Sequence, residues 1–299
     1  LDQAVVSGHP ENFSYKKKGV LFPTWFRHYL SSTINIPVSF ENRTMTNDLK
    51  IQQFYQENEY RFPYHYIAQF KNNNFKHYFL DTWSINYVST IEYLLQKIAI
   101  VPPERIVDIG CGDGRFSREL AITFNASTVI GIDYSTRAIA LASAMNPDIS
   151  NLKFLPLDIT KKNDLEPFDL AVLMEVFEHI PIESADNFMK SVRTMLKNDG
   201  VLYLTVPHKN KPLEYKHFQH FSTESILNYL TSYFDVVEVV PFEKISWYRG
   251  LILKILSNRL FILKNPRLLS FVYRLYKNNL FFCSSEMDCQ RIFVKAVAK

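Results

Sequence analysis

The segment Glu175-Val176-Phe177-Glu178-His179-Ile180 carries the most reactive grouping in the chain. Two carboxylates and an imidazole stand at i, i+3 and i+4, a spacing that puts all three on one helical face. Two chemistries suit such a set. With an ordinary pKa near ~6.5, His179 can accept a proton from a substrate hydroxyl at neutral pH, with Glu178 beside it. Alternatively Glu175, Glu178 and His179 ligate a divalent ion, since mixed carboxylate and imidazole donors suit Mg²⁺, Mn²⁺ or Zn²⁺. The plain structural account is that Glu178-His179 only caps or packs a helix start. Three later histidines, His208, His217 and His220, could supply a fourth ligand, or one could pack beneath the next helix while another is solvated.

A second constellation lies upstream. Ile106-Val107-Asp108-Ile109 reads as a buried strand. Gly110, Gly112 and Gly114 follow, and a helical pattern starts at Arg115 with Phe116, Leu120 and Phe124. Glycines at such a turn let a ligand approach the backbone, and the helix beyond offers unpaired N–H groups. The spacing departs from the dinucleotide fingerprint G-x-G-x-x-G because the third glycine comes one residue early. Asp108 and Asp113 would repel a pyrophosphate and tolerate a cationic or zwitterionic ligand. The next two strands end in Asp133 and Asp158, which suit a ribose diol and an adenine amino group respectively. Three acids at one edge of a sheet are hard to explain by helix capping alone, and ligands of open α/β sheets sit at that edge.

These residues require a doubly wound sheet to position them. Strands are expected at 105–109, 128–132, 152–157, 169–174, 201–206, 236–240 and 291–298. Each is a short, mostly apolar run of the kind found in parallel sheets covered on both faces. Helices are expected at 84–100, 115–124, 136–145 and 184–197, with another starting at Ser222 or Thr223. Residues 1–80 read as an arm whose aromatic run from Tyr60 to Tyr66 packs over the core or forms a lid. Residues 81–299 form the main domain, with a helical insertion at 241–289.

The combined pattern resembles the class I S-adenosylmethionine-dependent methyltransferases. Val107 to Gly114 matches their glycine motif, Asp133 their ribose acid and Asp158 their adenine-side acid. Phe168 to Glu175 matches their fourth-strand motif, and Leu196 to Leu202 the turn before their fifth strand. The resemblance covers roughly 84–240 and the last strand. It implies a Rossmann-like α/β fold: a seven-stranded sheet, mostly parallel with the last strand antiparallel, and helices on both faces. It also implies S-adenosylmethionine as cofactor, held by Asp108, Gly110, Gly112, Gly114, Asp133, Tyr134, Asp158, Ile159 and Glu175. Tyr134 would lie against the adenine, and Asp108 and Glu175 near the positive sulfonium and amino groups. His179, with Glu178, would act on the acceptor, taking a proton from a hydroxyl as its oxygen attacks the methyl carbon. The E-x-x-E-H pattern also occurs in ubiquinone-pathway O-methyltransferases and small-RNA 3′-terminal ribose methyltransferases, where it implies Mg²⁺ or Mn²⁺ as a second cofactor, and in the wider small-molecule group, where it implies no metal. The expected reaction is O-methylation of a small-molecule, glycan or lipid-linked acceptor. The alternatives are metal-assisted RNA ribose 2′-O-methylation and a non-catalytic cofactor-binding module.

Composition sets the remaining bounds. The 299 residues are 47% hydrophobic with a net charge of +4, a globular balance that does not by itself call for nucleic acid. Cys111, Cys283 and Cys289 form no metal or redox pattern, as in a reducing compartment. No stretch approaches the ~20 apolar residues of a membrane span, and Leu1 to Pro10 has no signal-peptide pattern. A cytoplasmic location is expected, peripheral to a membrane at most. The segment 244–282 holds eight Lys or Arg and no Asp or Glu. On a helical wheel for 266–278, Arg267, Ser270, Arg274, Lys277 and Asn278 share one arc, and apolar residues cover the rest. That segment is expected either to cover the sheet edge and substrate opening or to meet an anionic bilayer.

Overall fold

A computed structural model of the chain describes residues 70–71, 74–75, 82–214, 217–256 and 265–299. Of two compact units, Leu1–Gln52 lies wholly outside the described residues, and Gln53–Lys299 holds everything below. The arm expected at 1–80, with its aromatic run, is likewise outside them, apart from the paired strands Phe70–Lys71 and Asn74–Phe75.

Seven strands form the main sheet: β1 (Arg105–Ile109), β2 (Thr128–Asp133), β3 (Leu152–Pro156), β4 (Phe168–Met174), β5 (Leu196–Pro207), β6 (Phe234–Lys244) and β7 (Cys289–Ala298). Their order is β3-β2-β1-β4-β5-β7-β6. The first five pair in parallel, and β7 runs antiparallel to both neighbours, as the resemblance implied. The helices are α1 (Thr82–Ile98), α2 (Arg115–Thr123), α3 (Thr136–Met145), α4 (Ala185–Thr194), α5 (Thr223–Leu230), α6 (Trp247–Leu256) and α7 (Pro266–Tyr276).

Alternation along the strands builds a core on each face of the sheet. Ile106, Leu170, Val172, Tyr203 and Phe293 face α1, α2 and α7. Val107, Ala171, Leu173, Leu204 and Val294 face α4 and α5. Caps set the helix starts: Ser135 for α3, Ser222 with Ser225 as a reciprocal capping box for α5, and Asn265 ahead of Pro266 for α7.

Several details differ from the sequence pattern. The helix expected at 184–197 stops at Thr194 because Leu196 already pairs with Phe168. The next rung is Leu170 with Val201, so 197–200 bulge from the ladder, with Asp199 at φ 62°. β6 runs on to Lys244, so its last residues belong to the sheet and not to the insertion. In α7, Ser270 faces inward beside Leu269, Tyr273 and Tyr276, not outward with Arg267. Hydroxyls on that face explain the inward turn: Tyr273 donates to Glu92 at 2.5 Å and Tyr276 to Asn86, both on α1.

Candidate functional site

The strand order reverses between β1 and β4, and a cleft opens over the carboxyl ends of the strands there, as in open α/β sheets generally. It consists of two adjoining cavities of about 610 and 830 Å³, which share Gly110, Glu175 and His179. The larger is lined by Asp133, Tyr134, Asp158 and Ile159, and the smaller by Asp108, Gly112, Glu178 and His217.

The glycine turn is fixed from below. Gly110 and Cys111 donate to Ile132 O at 2.7 and 3.0 Å. All three glycines have positive φ: 75°, 56° and 79°. A Cβ on Gly110 would meet Val176 Cγ2 at 2.6 Å, and one on Gly114 would meet Phe154 Cζ at 2.6 Å. At Gly112 nothing lies within 4 Å. The outer glycines therefore let the turn pack against the body, while the middle one leaves open space in the cleft.

The strand-end acids differ in setting. Asp108 is buried beneath the turn and accepts from Ser117 Oγ at 2.6 Å. Burial pushes its carboxyl up to about 7, and the nearby Asp133 and Asp113 carboxylates add to the rise against that hydrogen bond. Both oxygens of Asp133 already accept backbone N–H groups, Gly112 to Oδ2 at 3.1 Å and Ser135 to Oδ1 at 2.9 Å. Each retains a lone pair for a further donor. Asp158 is more open; the Thr160 hydroxyl, at 2.6 Å, holds its carboxyl below the usual range. Tyr134 is 84% exposed at the rim, and Ile159 is buried.

The Glu175–His179 segment does not form the helical face that its spacing predicts. Phe177–His179 is a single tight 3₁₀ turn, and Glu175 precedes it at φ 59°. Phe177 anchors this turn, stacked on Phe221 at 5.3 Å between ring centres. Glu175 accepts from Arg291 Nε at 2.7 Å. Among the described residues, the donor atoms that come together are those of Glu178, His179 and His217, within 4.8 Å of one another. Burial drives the Glu178 carboxyl well above the ordinary range, and Glu175 adds to this.

Hydrogen bonds set the tautomers of the later histidines. His220 Nδ1 lies 2.9 Å from Lys211 O, which can only accept, so this nitrogen carries the proton. His217 Nδ1 lies 2.8 Å from His220 Nε2, and between uncharged rings that bond runs from His217 to His220. His208 takes no part. It is buried, accepts from Asn210 N and lies 2.8 Å from Glu286 Oε1.

The sequence pattern did not reveal the smaller cavity's far wall: Asn86 and Thr90 of α1, Glu243 of β6, Arg249 of α6 and Arg291 of β7. Glu243 is buried at φ 63°, accepts from Asn86 Nδ2 at 2.6 Å and is paired with both Arg249 and Arg291. The one available signal was a charged Arg291 opening a mostly apolar strand.

Residues 84–247 match the family model described as "Methyltransferase domain". A ubiquinone biosynthesis O-methyltransferase of Glaesserella parasuis serovar 5 (strain SH0165) is 30% identical over 123 residues, covering 38% of this chain and 50% of the relative. EEF1A lysine methyltransferase 2 of Homo sapiens is 29% identical over 162 residues, covering 51% and 63%. The chain thus spans about half to three-fifths of the length of these relatives. Among solved structures, the N-methyltransferase NodS from Bradyrhizobium japonicum WM9, in complex with S-adenosyl-l-homocysteine, superposes with a TM-score of 0.51. Its identity is 16%, with 73% of this chain and 88% of that one covered, a likeness of fold alone. The family match extends over more than half of the residues, and the chain belongs to that family, as a class I S-adenosylmethionine-dependent methyltransferase.

Proposed function

We propose that the chain methylates a hydroxyl oxygen of a small-molecule, glycan or lipid-linked acceptor, with His179 taking the proton. The observation that carries this reading is the position of His179, which lines both cavities at their junction and stands beside Glu178 and His217. The naming of one relative as an O-methyltransferase supports it.

The cleft fits the cofactor. Gly112 leaves space for a close approach to the backbone, and Glu175 Oε1 is buried without a hydrogen-bond partner among the described residues. Bound, S-adenosylmethionine supplies an electrophilic methyl group on a positive sulfonium. In this reading Asp133 accepts from the ribose hydroxyls, and Tyr134, Asp158 and Ile159 flank the adenine. Gly110, Gly112 and Gly114 shape the turn, while Asp108 and Glu175 face the positive groups. For transfer at a methyl carbon the enzyme mostly supplies alignment and exclusion of water, and His179 receives the proton that the acceptor loses. A second reading has its own observation. Glu178, His179 and His217 would hold a divalent ion such as Mg²⁺ or Mn²⁺, which would lower the pKa of the acceptor hydroxyl. Glu178 Oε2, buried without a partner among the described residues, fits that use.

Two measurements test this. Methyl-labelled cofactor incubated with small-molecule, glycan and lipid fractions should place its label in a base-stable ether. Recovery as methyl-lysine or as a base-labile ester would overturn the hydroxyl reading. The second follows from Asp108. Its raised pKa means that the folded protein holds this proton more tightly than an unfolded chain. The buried carboxylic acid therefore favours the fold at low pH, and that contribution fades as pH rises through about 7. A cationic ligand prefers the carboxylate, so calorimetric affinity for S-adenosylmethionine should rise across this window and flatten in Asp108→Asn. An equally steep rise in Asp108→Asn would remove Asp108 from the cofactor's positive end.

A further inference from the structure

The insertion between β6 and β7 leaves two apolar stripes on its outer surface. On α6, Trp247, Tyr248, Leu251 and Ile255 are exposed, Trp247 at 78% and Leu251 at 48%. On α7 the exposed residues are Leu268, Phe271 and Leu275, with Phe271 at 50%. The opposite faces are occupied: Leu256, Leu269, Tyr273 and Tyr276 are buried in the core beside α1. Both helices are therefore fixed to the body by these faces, while the stripes stay exposed.

Charge accompanies each stripe in the same register. Lys254 follows Leu251 by three residues and precedes Ile255; Arg274 follows Phe271 by three and precedes Leu275. All six are exposed, so each helix sets a cation beside its apolar residues on one face. Arg267 adds a second exposed cation to α7. No acid occurs in the sequence anywhere from 244 to 282. Among the described residues no helix is long and apolar enough to cross a membrane.

We propose that this insertion docks the enzyme on an anionic lipid surface. Apolar side chains on one helical face with cations beside them suit insertion at the level of the headgroups, where the cations meet lipid phosphates. Lys254, Arg267 and Arg274 are the exposed cations that carry this complementarity, since Lys244, Arg249 and Lys277 are paired with Asp288, Glu243 and Glu92. Arg249, also on α6, reaches the other way, into the smaller cavity, to pair with Glu243. The docking helix is therefore part of the cavity wall. On the methyl-transfer reading above, an amphiphilic acceptor could enter from the bilayer.

The test is sedimentation of the full chain with phosphatidylcholine vesicles, with and without phosphatidylglycerol. Binding should require the anionic lipid and fall as salt is raised toward 1 M, where the screening length shrinks to about 3 Å. Lys254→Glu and Arg274→Glu should each weaken it about fivefold or more, and the double variant Leu251→Glu, Phe271→Glu should abolish it. Cofactor affinity, measured on the same samples, should be unchanged and shows that each variant is folded. Failure to bind anionic vesicles, equal binding to both vesicle types, or variants that bind like the parent would overturn the proposal. So would a dimer that Phe271→Glu dissolves without any vesicle binding by the parent, which would make the stripes a contact between copies. None of these outcomes depends on the acceptor, so docking and the methyl-transfer reading can fail separately.

Discussion

Replacing Asp133 with alanine will weaken S-adenosylmethionine binding by about 1–3 kcal/mol, or roughly 5- to 150-fold in Kd. Two losses add in this variant. The first is the charged acceptor proposed for the ribose diol, since hydrogen bonds to ionised groups contribute more than neutral ones. The second is support of the glycine turn, because Asp133 Oδ2 holds the N–H of Gly112 at 3.1 Å, at the position where the backbone stands open to the cleft. Asp133→Asn keeps an acceptor oxygen at lower strength and should fall between the parent and alanine. Calorimetry at fixed pH reads both. An affinity unchanged in Asp133→Ala would withdraw the larger cavity from the cofactor.

The second large effect is expected at His179. Its replacement by alanine should lower turnover by about 10²–10⁴-fold, the usual contribution of a positioned base, while leaving cofactor affinity close to the parent's. The neighbouring histidine separates the two chemistries. If His179 acts alone as base, His217→Ala should be mild and a chelator without effect. If Glu178, His179 and His217 hold an ion, His217→Ala should be as damaging as His179→Ala. A chelator should then abolish turnover, and added Mg²⁺ or Mn²⁺ should restore it. Turnover of His179→Ala at the parent's rate would dismiss both roles.

The parts of this architecture that were legible in the sequence are those governed by local rules. Short apolar runs gave the strands β1 to β4 to within a residue or so, and the glycine spacing with the acids at 108, 133 and 158 located the edge of the sheet where the cleft opens. What was misread depends on contacts distant in sequence. Spacing alone put Glu175 on one face with Glu178 and His179. Glu175 instead has a left-handed backbone and an ion pair with Arg291, more than a hundred residues away. His217 was one of three equivalent candidates until its bond to His220 and its nearness to His179 distinguished it. The wheel for 266–278 sorted side chains by polarity, but a helix is turned by the partners it finds. Tyr273 and Tyr276 bond to polar groups on α1, which draws Ser270 inward and leaves Phe271 and Leu275 outside.

The place of β7 has a consequence for how the molecule is made. β6 is hydrogen-bonded in the sheet to β7 alone, and β7 follows it only after the whole insertion. Until Cys289–Ala298 arrives, β5 therefore presents an unpaired edge, and β6 has only the bridge from Phe242 to Phe282 among the described residues. Arg291 enters at the same step, so Glu175 and Glu243 lack this shared counter-charge until then. Contacts so far apart in sequence form slowly. During synthesis the larger cavity, drawn mainly from the ends of β1 to β4, can take shape first. The smaller cavity closes only when the ribosome has released the strand that locks the sheet.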